Sequence, residues 1–175
     1  MKLKQIQQKI EINVTPERMW EILSQYGDVS HFHAGVVESH KEPGSGNQAA
    51  PGCERVCHIV DMGLHITLKE RIVEFNEGDS YTYEVYAWKN FPLRKMLFGF
   101  QILRTDKPYV VLAINIAYKA KPAFLTSIMA GKMRRLAQDV LLGYKHFAET
   151  GERRIPIKQL KARYEAMAQT EVQYG

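Results

Sequence analysis

The order of apolar and polar positions near the start of the chain predicts a strand followed directly by a helix. Over residues 6–14, apolar residues alternate with polar ones and Gln8 is the one break. Such a period of two is typical of a strand with one buried face. Thr15 then supplies a helix cap, apolar residues recur at helical spacing over residues 19–26, and Gly27 ends the helix.

Residues 54–120 predict a run of antiparallel strands. Apolar and β-branched residues alternate there in short runs that are separated by two to five turn-forming residues, which is too short for helical crossovers. Residues 41–52 are rich in proline and glycine and predict a mobile loop that could act as a lid. The predicted strands cover residues 54–60, 64–75, 80–88, 94–105 and 109–120, with a short edge strand at 35–40.

The last third of the chain predicts helices. Apolar residues fall at steps of three and four from Leu125 to Phe147, which indicates one long amphipathic helix over residues 124–148 that ends near Gly151. A weaker stripe beyond Pro156 predicts a final helix that packs either on the body of the protein or against a partner. Its apolar positions are Ile157, Leu160, Tyr164 and Met167.

This order of elements predicts an α+β fold. A curved antiparallel sheet of six to seven strands would wrap around the long C-terminal helix, with two short helices after the first strand. A pocket can open between sheet and helix. We expect one domain over residues 1–152 and a basic, helical extension over residues 153–175.

Composition agrees with a single globular domain. Of the 175 residues, 45% are hydrophobic and 25% charged, as in an ordinary water-exposed domain. The most apolar stretch, residues 109–118, has about half the ~20 residues that a membrane-spanning helix requires, and residues 1–10 lack a signal-peptide core. Cys53 and Cys57 lie four residues apart on the same face of one predicted strand, which holds their side chains too far apart for easy closure. We therefore expect free thiols and a cytoplasmic protein.

The positive charge is concentrated in the C-terminal part of the chain. Residues 130–175 hold nine basic and five acidic side chains, which accounts for most of the net charge of +5. Such a segment could contact RNA, ribosomes or an anionic membrane, but a solvated helix face is the more frequent role of a mildly basic helix. The apolar stripe of the same segment could instead seal a homodimer.

Four short motifs, taken in order, resemble the START-type, helix-grip superfamily of SRPBCC proteins, which includes polyketide cyclase-like and birch-pollen-allergen-like proteins. The resemblance covers residues 6–152. It rests on Thr15, Pro16, Glu17 and Trp20 at the first strand-to-helix junction, on residues 27–35, on Glu70, Arg71 and Ile72 ahead of Tyr81, Tyr83 and Glu84, and on Tyr144 to Phe147 before Gly151.

The resemblance implies an apolar cavity for a small lipid-like or aromatic molecule. It implies no single reaction, because the superfamily contains both binding proteins and enzymes without a shared catalytic motif. We therefore expect a binding protein for a hydrophobic or amphipathic ligand such as a lipid, quinone or polyketide, with a cyclase or dehydratase as the alternative.

Two side chains are candidates for acid–base chemistry. Strict alternation places Glu70 on the apolar face of its strand, where burial would raise its pKa and suit it to proton transfer. A bulge, or pairing with Arg71 or another base, would remove that role. His33 is the second candidate, as a hydrogen-bonding group at the cavity mouth.

The histidines and cysteines predict no metal site. His31 and His33 flank Phe32 and could supply two ligands, but zinc usually needs three or four, and the spacing of the other candidates matches no closed zinc pattern. No glycine-rich phosphate loop is present, so we expect no cofactor. The ligand-binding residues expected from strand and helix faces are Phe32, His33, His58, Tyr83, Val85, Ile114, Ile116, Met129, Met133 and Leu136.

Overall fold

A single antiparallel sheet carries most of the structure. The computed structural model describes residues 2–33 and 35–174, with side chains up to residue 167. Within that part, seven strands lie in the order β1-β7-β6-β5-β4-β3-β2. The strands are β1 Lys4–Ile12, β2 Glu38–Lys41, β3 Glu54–Asp61, β4 Leu64–Asn76, β5 Ser80–Lys89, β6 Leu93–Leu103 and β7 Val110–Ala120.

Helices lie before and after this run of strands. A short helix and a 3₁₀ helix follow β1, and two helices and a long tail helix follow β7. They are α1 Pro16–Leu23, the 3₁₀ helix Tyr26–His31, α2 Leu125–Ile128, α3 Ala130–Thr150 and α4 Ile157–Tyr174. This arrangement confirms the predicted α+β helix-grip fold, including the two short helices after the first strand.

Strand β1 closes the far edge of the sheet against β7. Ile6 lies opposite Ile116, and the two strands run antiparallel. Helix α3 packs on the inner face of β1, where the Gln138 amide donates to Gln8 Oε1 at 3.2 Å. Gln8 therefore interrupts the apolar alternation because it lies on the helix-facing side and hydrogen-bonds there.

The space between the sheet and the middle of α3 is filled by aromatic rings. Tyr83 stacks on Phe98 with ring centroids 5.3 Å apart, and Phe100 contacts Tyr144 of α3 at 5.2 Å. Phe32, just after the 3₁₀ helix, contacts the same Tyr144 ring at 4.9 Å. Such ring pairs are favourable beyond the area they bury, so this region is a closed core.

The predicted helix boundaries at Thr15 and Gly151 agree with the capping geometry. Thr15 Oγ1 accepts the Arg18 backbone N–H at 3.2 Å, as expected of an N-cap. Gly151 has φ +75°, and its N–H donates to the Phe147 carbonyl at 2.8 Å. The left-handed backbone that ends α3 favours glycine.

The prediction of a single long helix over residues 124–148 was wrong in one respect. The helix is interrupted at Met129, which separates α2 from α3. The Thr126 carbonyl accepts the Tyr118 hydroxyl at 2.5 Å, and Thr126 Oγ1 accepts the Ala120 N–H at 3.0 Å. These bonds tie α2 to β7. The edge strand is also displaced, from residues 35–40 to β2.

Helix α4 packs on the body of its own chain. Leu160 is buried, Lys161 pairs with Asp139 of α3 at 2.7 Å, and the Tyr164 ring lies 6.1 Å from the His146 ring. Within the stripe predicted beyond Pro156, Leu160 is thus buried in the molecule, whereas Met167 is exposed. No helix in the described part of the chain is both long enough and apolar enough to span a bilayer.

Candidate functional site

A cavity of about 770 Å³ opens at one end of the fold. It lies between one face of α3 from Lys132 to His146, the β3–β4 hairpin, the segment after the 3₁₀ helix, and the chain from Glu152 into the start of α4. This volume is within the range of small-molecule sites. Its apolar lining consists of Phe32, Val36, Val37, Ile59, Val60, Met62, Ile66, Leu68, Phe91, Met96, Met133, Leu136, Ile155, Pro156, Ile157 and Leu160.

His33 is a buried polar side chain in this apolar wall. It is 7% exposed, and its Nδ1 accepts the Gly35 backbone N–H at 3.3 Å. This contact places the ring proton on Nε2. Burial, followed by the positive charge of Arg55, lowers the pKa of His33 to about 3. At neutral pH, His33 is therefore an uncharged imidazole with one N–H to donate.

Charged side chains surround the mouth of the cavity. Asp61 at the hairpin tip pairs with Lys132 near the start of α3, so the ion pair connects two walls. Asp139 pairs with Lys161 of α4. The third carboxylate of the lining, Glu152, accepts from both His146 and Arg163 at 2.7 Å. Each lining carboxylate is thus already paired.

A second polar cluster lies in the core, outside the cavity lining. Arg55 and Glu70 are directly opposite each other on β3 and β4, and Arg55 Nε lies 2.6 Å from Glu70 Oε2. The guanidinium also donates to the Tyr26 carbonyl at 3.1 Å and lies 4.1 Å from the centre of the Tyr26 ring. The Arg55 charge is therefore compensated on several sides.

The electrostatics of this cluster favour a structural role. Burial opposes the charge on Arg55, but Glu70 together with Cys57, Tyr26 and Tyr83 more than offsets this effect, and the pKa of Arg55 lies well above its ordinary value. Burial and the nearby Glu70 carboxylate raise the pKa of the Cys57 thiol. Cys57 therefore remains a protonated thiol and is a poor nucleophile.

Four of the ten residues predicted to bind a ligand line the cavity: Phe32, His33, Met133 and Leu136. The remaining six lie outside its lining. The inward parity inferred for β5 and β7 places four of these six in the filled core, and Met129 is buried at the junction of α2 and α3. The six are His58, Tyr83, Val85, Ile114, Ile116 and Met129.

His58 lies on the other face of the sheet. Its neighbours Cys57 and Ile59 belong to the inner face, and strand alternation turns His58 away from it. The His58 ring stacks on His40 with centroids 5.7 Å apart, and its Nδ1 lies 3.3 Å from Thr67 Oγ1.

The loop predicted as a lid packs beside α1. The Ala49 N–H donates to the Ser24 carbonyl at 2.7 Å, and the Gly27 N–H donates to the Asn47 carbonyl at 3.2 Å. Residues 41–52 contribute nothing to the cavity lining. The mouth is instead bordered by the β3–β4 hairpin and by the chain between α3 and α4.

Sequence reasoning missed two walls of the cavity. Ile66 and Leu68 of β4 have the parity that was used for Glu70, which was a sufficient signal to include them. Ile157 and Leu160 belong to the apolar stripe of the extension, whose role the resemblance did not cover. Their contact with the cavity depends on where α4 packs.

His31 and His33 both line the cavity, as the HxH spacing allows. His31 Nδ1 lies 3.5 Å from an Arg153 nitrogen, and His33 Nδ1 is used by Gly35. Among the residues whose placement is described, no three His, Cys, Asp or Glu side chains are grouped to hold a metal ion.

Comparison with solved structures identifies the fold. A protein from Thermobifida fusca, solved by solution NMR, superposes with a TM-score of 0.67 at 16% identity, covering 82% of this chain and 92% of that one. The crystal structure of Ara h 8.0201 gives 0.65 at 16%, covering 83% and 97%. A START superfamily protein from Mycobacterium smegmatis gives 0.65 at 13%, covering 81% and 97%.

Sequence comparison gives the family. No curated protein matches the chain. A family model described as "Polyketide cyclase / dehydrase and lipid transport" matches residues 4–145, which include every strand and most of α3. The chain therefore belongs to this polyketide cyclase and lipid-transport family, within the START-type SRPBCC superfamily that its sequence resembles.

Proposed function

We propose that this protein binds and carries a small hydrophobic or amphipathic molecule in the cavity beside α3. The observation that carries the proposal is the cavity itself, about 770 Å³ and lined mainly by apolar side chains. Removing apolar ligand surface from water contributes ~25 cal/mol per Å². The Nε2–H of His33 supplies one directional contact for a ligand carbonyl or hydroxyl.

Two features favour carriage over a cyclase or dehydratase reaction. Glu70, the predicted acid–base residue, is outside the cavity lining and ion-paired with Arg55. His33 lines the cavity, but with a pKa of about 3 its imidazole does not take up a second proton near neutral pH and cannot serve as a proton carrier. The predicted cytoplasmic location remains part of the proposal, supported by the free thiols of Cys53 and Cys57.

The test uses an uncharged fluorescent probe, N-phenyl-1-naphthylamine, titrated into the full chain. We expect saturable binding to the wild type and a loss of about tenfold or more in affinity for Leu136→Trp, because the larger ring projects into the space that the probe would occupy. Leu103→Trp is the control, since Leu103 lies at the exposed end of β6 outside the lining. Absence of saturable binding, or equal affinity in both variants, would contradict the proposal.

A further inference from the structure

We propose that the ligand of this cavity is an anionic amphiphile, with a carboxylate or phosphate head held by Arg135 and Arg154 and an apolar body inside. This inference rests on the proposed function and adds the chemical class of the ligand. It is based on the distribution of charge around the cavity mouth.

Arg135 and Arg154 are the arginines of the cavity lining, and no carboxylate in the described part of the chain pairs with the charge of either one. The lysines at the mouth, Lys132 and Lys161, are paired with Asp61 and Asp139. Among the described residues, the side chains of Arg135 and Arg154 take part in no ion pair or side-chain hydrogen bond, although both line the cavity. The guanidinium groups of Arg135 and Arg154 are therefore available to bind an anion at the cavity mouth.

Asp139 lies one helical turn from Arg135 on α3. At that spacing, a carboxylate is a natural partner for an arginine. In this structure, Asp139 Oδ1 instead lies 2.7 Å from Lys161 Nζ of α4. The docking of α4 thus withdraws the intrahelical partner of Arg135.

The backbone fixes Arg154 at the mouth. Arg154 has φ +56°, a left-handed conformation that is uncommon for a side chain of this size. Its N–H donates to the His31 carbonyl at 2.8 Å, which joins the chain after α3 to the segment that carries His33. Strained residues of this kind often occur at binding sites.

The α3 wall changes from apolar to charged toward solvent. Met133 is buried, Leu136 is half-buried, and Arg135 is exposed, and all three line the cavity. A ligand with an apolar body and one anionic end matches this gradient. A guanidinium can bind a carboxylate or a phosphate through two parallel hydrogen bonds, so either head group satisfies the site.

The experiment compares three probes that share one twelve-carbon chain: dodecanoate and dodecyl phosphate below their micelle concentrations, and dodecan-1-ol below its solubility limit, all at pH 7.5. Affinities are measured by calorimetry on the full chain. We expect at least one anion to bind about tenfold tighter than the alcohol, as charge-assisted hydrogen bonds predict. The arm that shows the larger preference identifies the head group.

Arg135→Gln/Arg154→Gln should reduce the preference for the anion to about twofold or less while alcohol binding is retained. Arg134→Gln is the matched control, because Arg134 is an exposed neighbour outside the lining, and it should keep the preference. Raising salt with the wild type should weaken anion binding and leave alcohol binding unchanged, which tests the inference without any variant.

Equal binding of anions and alcohol to the wild type, or a preference that survives in the double variant, would overturn the anionic head group and leave the proposed function standing. Failure of all three probes, the alcohol included, would overturn both.

Discussion

Arg55 and Glu70 form an ion pair in the interior of the protein, with side chains only 2% and 4% exposed and 2.6 Å between Nε and Oε2. The two residues face each other across β3 and β4. Leaving either partner of such a buried pair without the other is costly.

Glu70→Gln should therefore destabilise the protein by about 3 kcal/mol, because the Arg55 charge loses its compensating carboxylate. Urea unfolding measures the change. Glu74→Gln is the control on the same strand, since Glu74 is exposed, and should stay within about 0.5 kcal/mol of the wild type. Replacing both partners by apolar residues, Arg55→Met with Glu70→Leu, should recover most of the loss. A fully stable Glu70→Gln protein would contradict the structural role.

His33 makes stability depend on pH. Its pKa is about 3 in the folded protein and about 6.5 when exposed. Because the folded value is the lower one, its contribution is fully present above pH 6.5 and is lost as the pH falls toward 3. In that window the unfolded chain binds the proton that the folded protein excludes, and the slope reaches ~1.4 kcal/mol per pH unit.

The measurement is the unfolding free energy of wild type and His33→Gln between pH 7 and pH 4. The variant should lose less stability on acidification. Its plot of unfolding free energy against pH should be less steep by an amount equivalent to up to about one bound proton. His65→Gln is the control, as His65 is exposed. Identical slopes for wild type and His33→Gln would show that His33 titrates normally.

Leu160 connects α4 to the cavity. It is 2% exposed and forms part of the lining. Leu160→Ala should lower stability by about 2 kcal/mol, because it leaves a void under the helix. It should also speed release of a bound apolar probe several-fold, because the outer wall loosens. Stopped-flow displacement measures the release.

Met167→Ala is the matched control, since Met167 lies on the same helix with its side chain exposed. Unchanged release from Leu160→Ala would place the exit path elsewhere. Light scattering of the wild type tests the homodimer that the apolar stripe suggested. The homodimer stays a prediction, as does contact with RNA or a membrane.

The fold could be predicted from the sequence because local residue patterns reflect the geometry of each strand and helix. The alternation along β4 correctly placed Glu70 inside, and Thr15 and Gly151 marked helix ends through their own backbone preferences. The partner of Glu70 was not predictable in the same way. Arg55 is 15 residues away, and the pair becomes visible only once the register of β3 and β4 is known.

The site was harder to predict for a related reason. Alternation says which side of a strand is inside, but not where along the strand the interior is empty. Tyr83 and Ile114 face inward where aromatic rings fill the space, while Ile66 and Leu68 face inward where the cavity opens. That difference depends on the position of α3 and on where α4 packs, which no single segment encodes.

The pairing of β1 with β7 also has a consequence for synthesis. Ile6 leaves the ribosome about 110 residues before its partner Ile116. At ~5–20 residues per second, β1 waits about 5 to 20 seconds for its neighbour. Meanwhile the hairpins between β3 and β7 can assemble from nearby residues. The apolar face of β1 is thus the part of the nascent chain that most needs protection from aggregation.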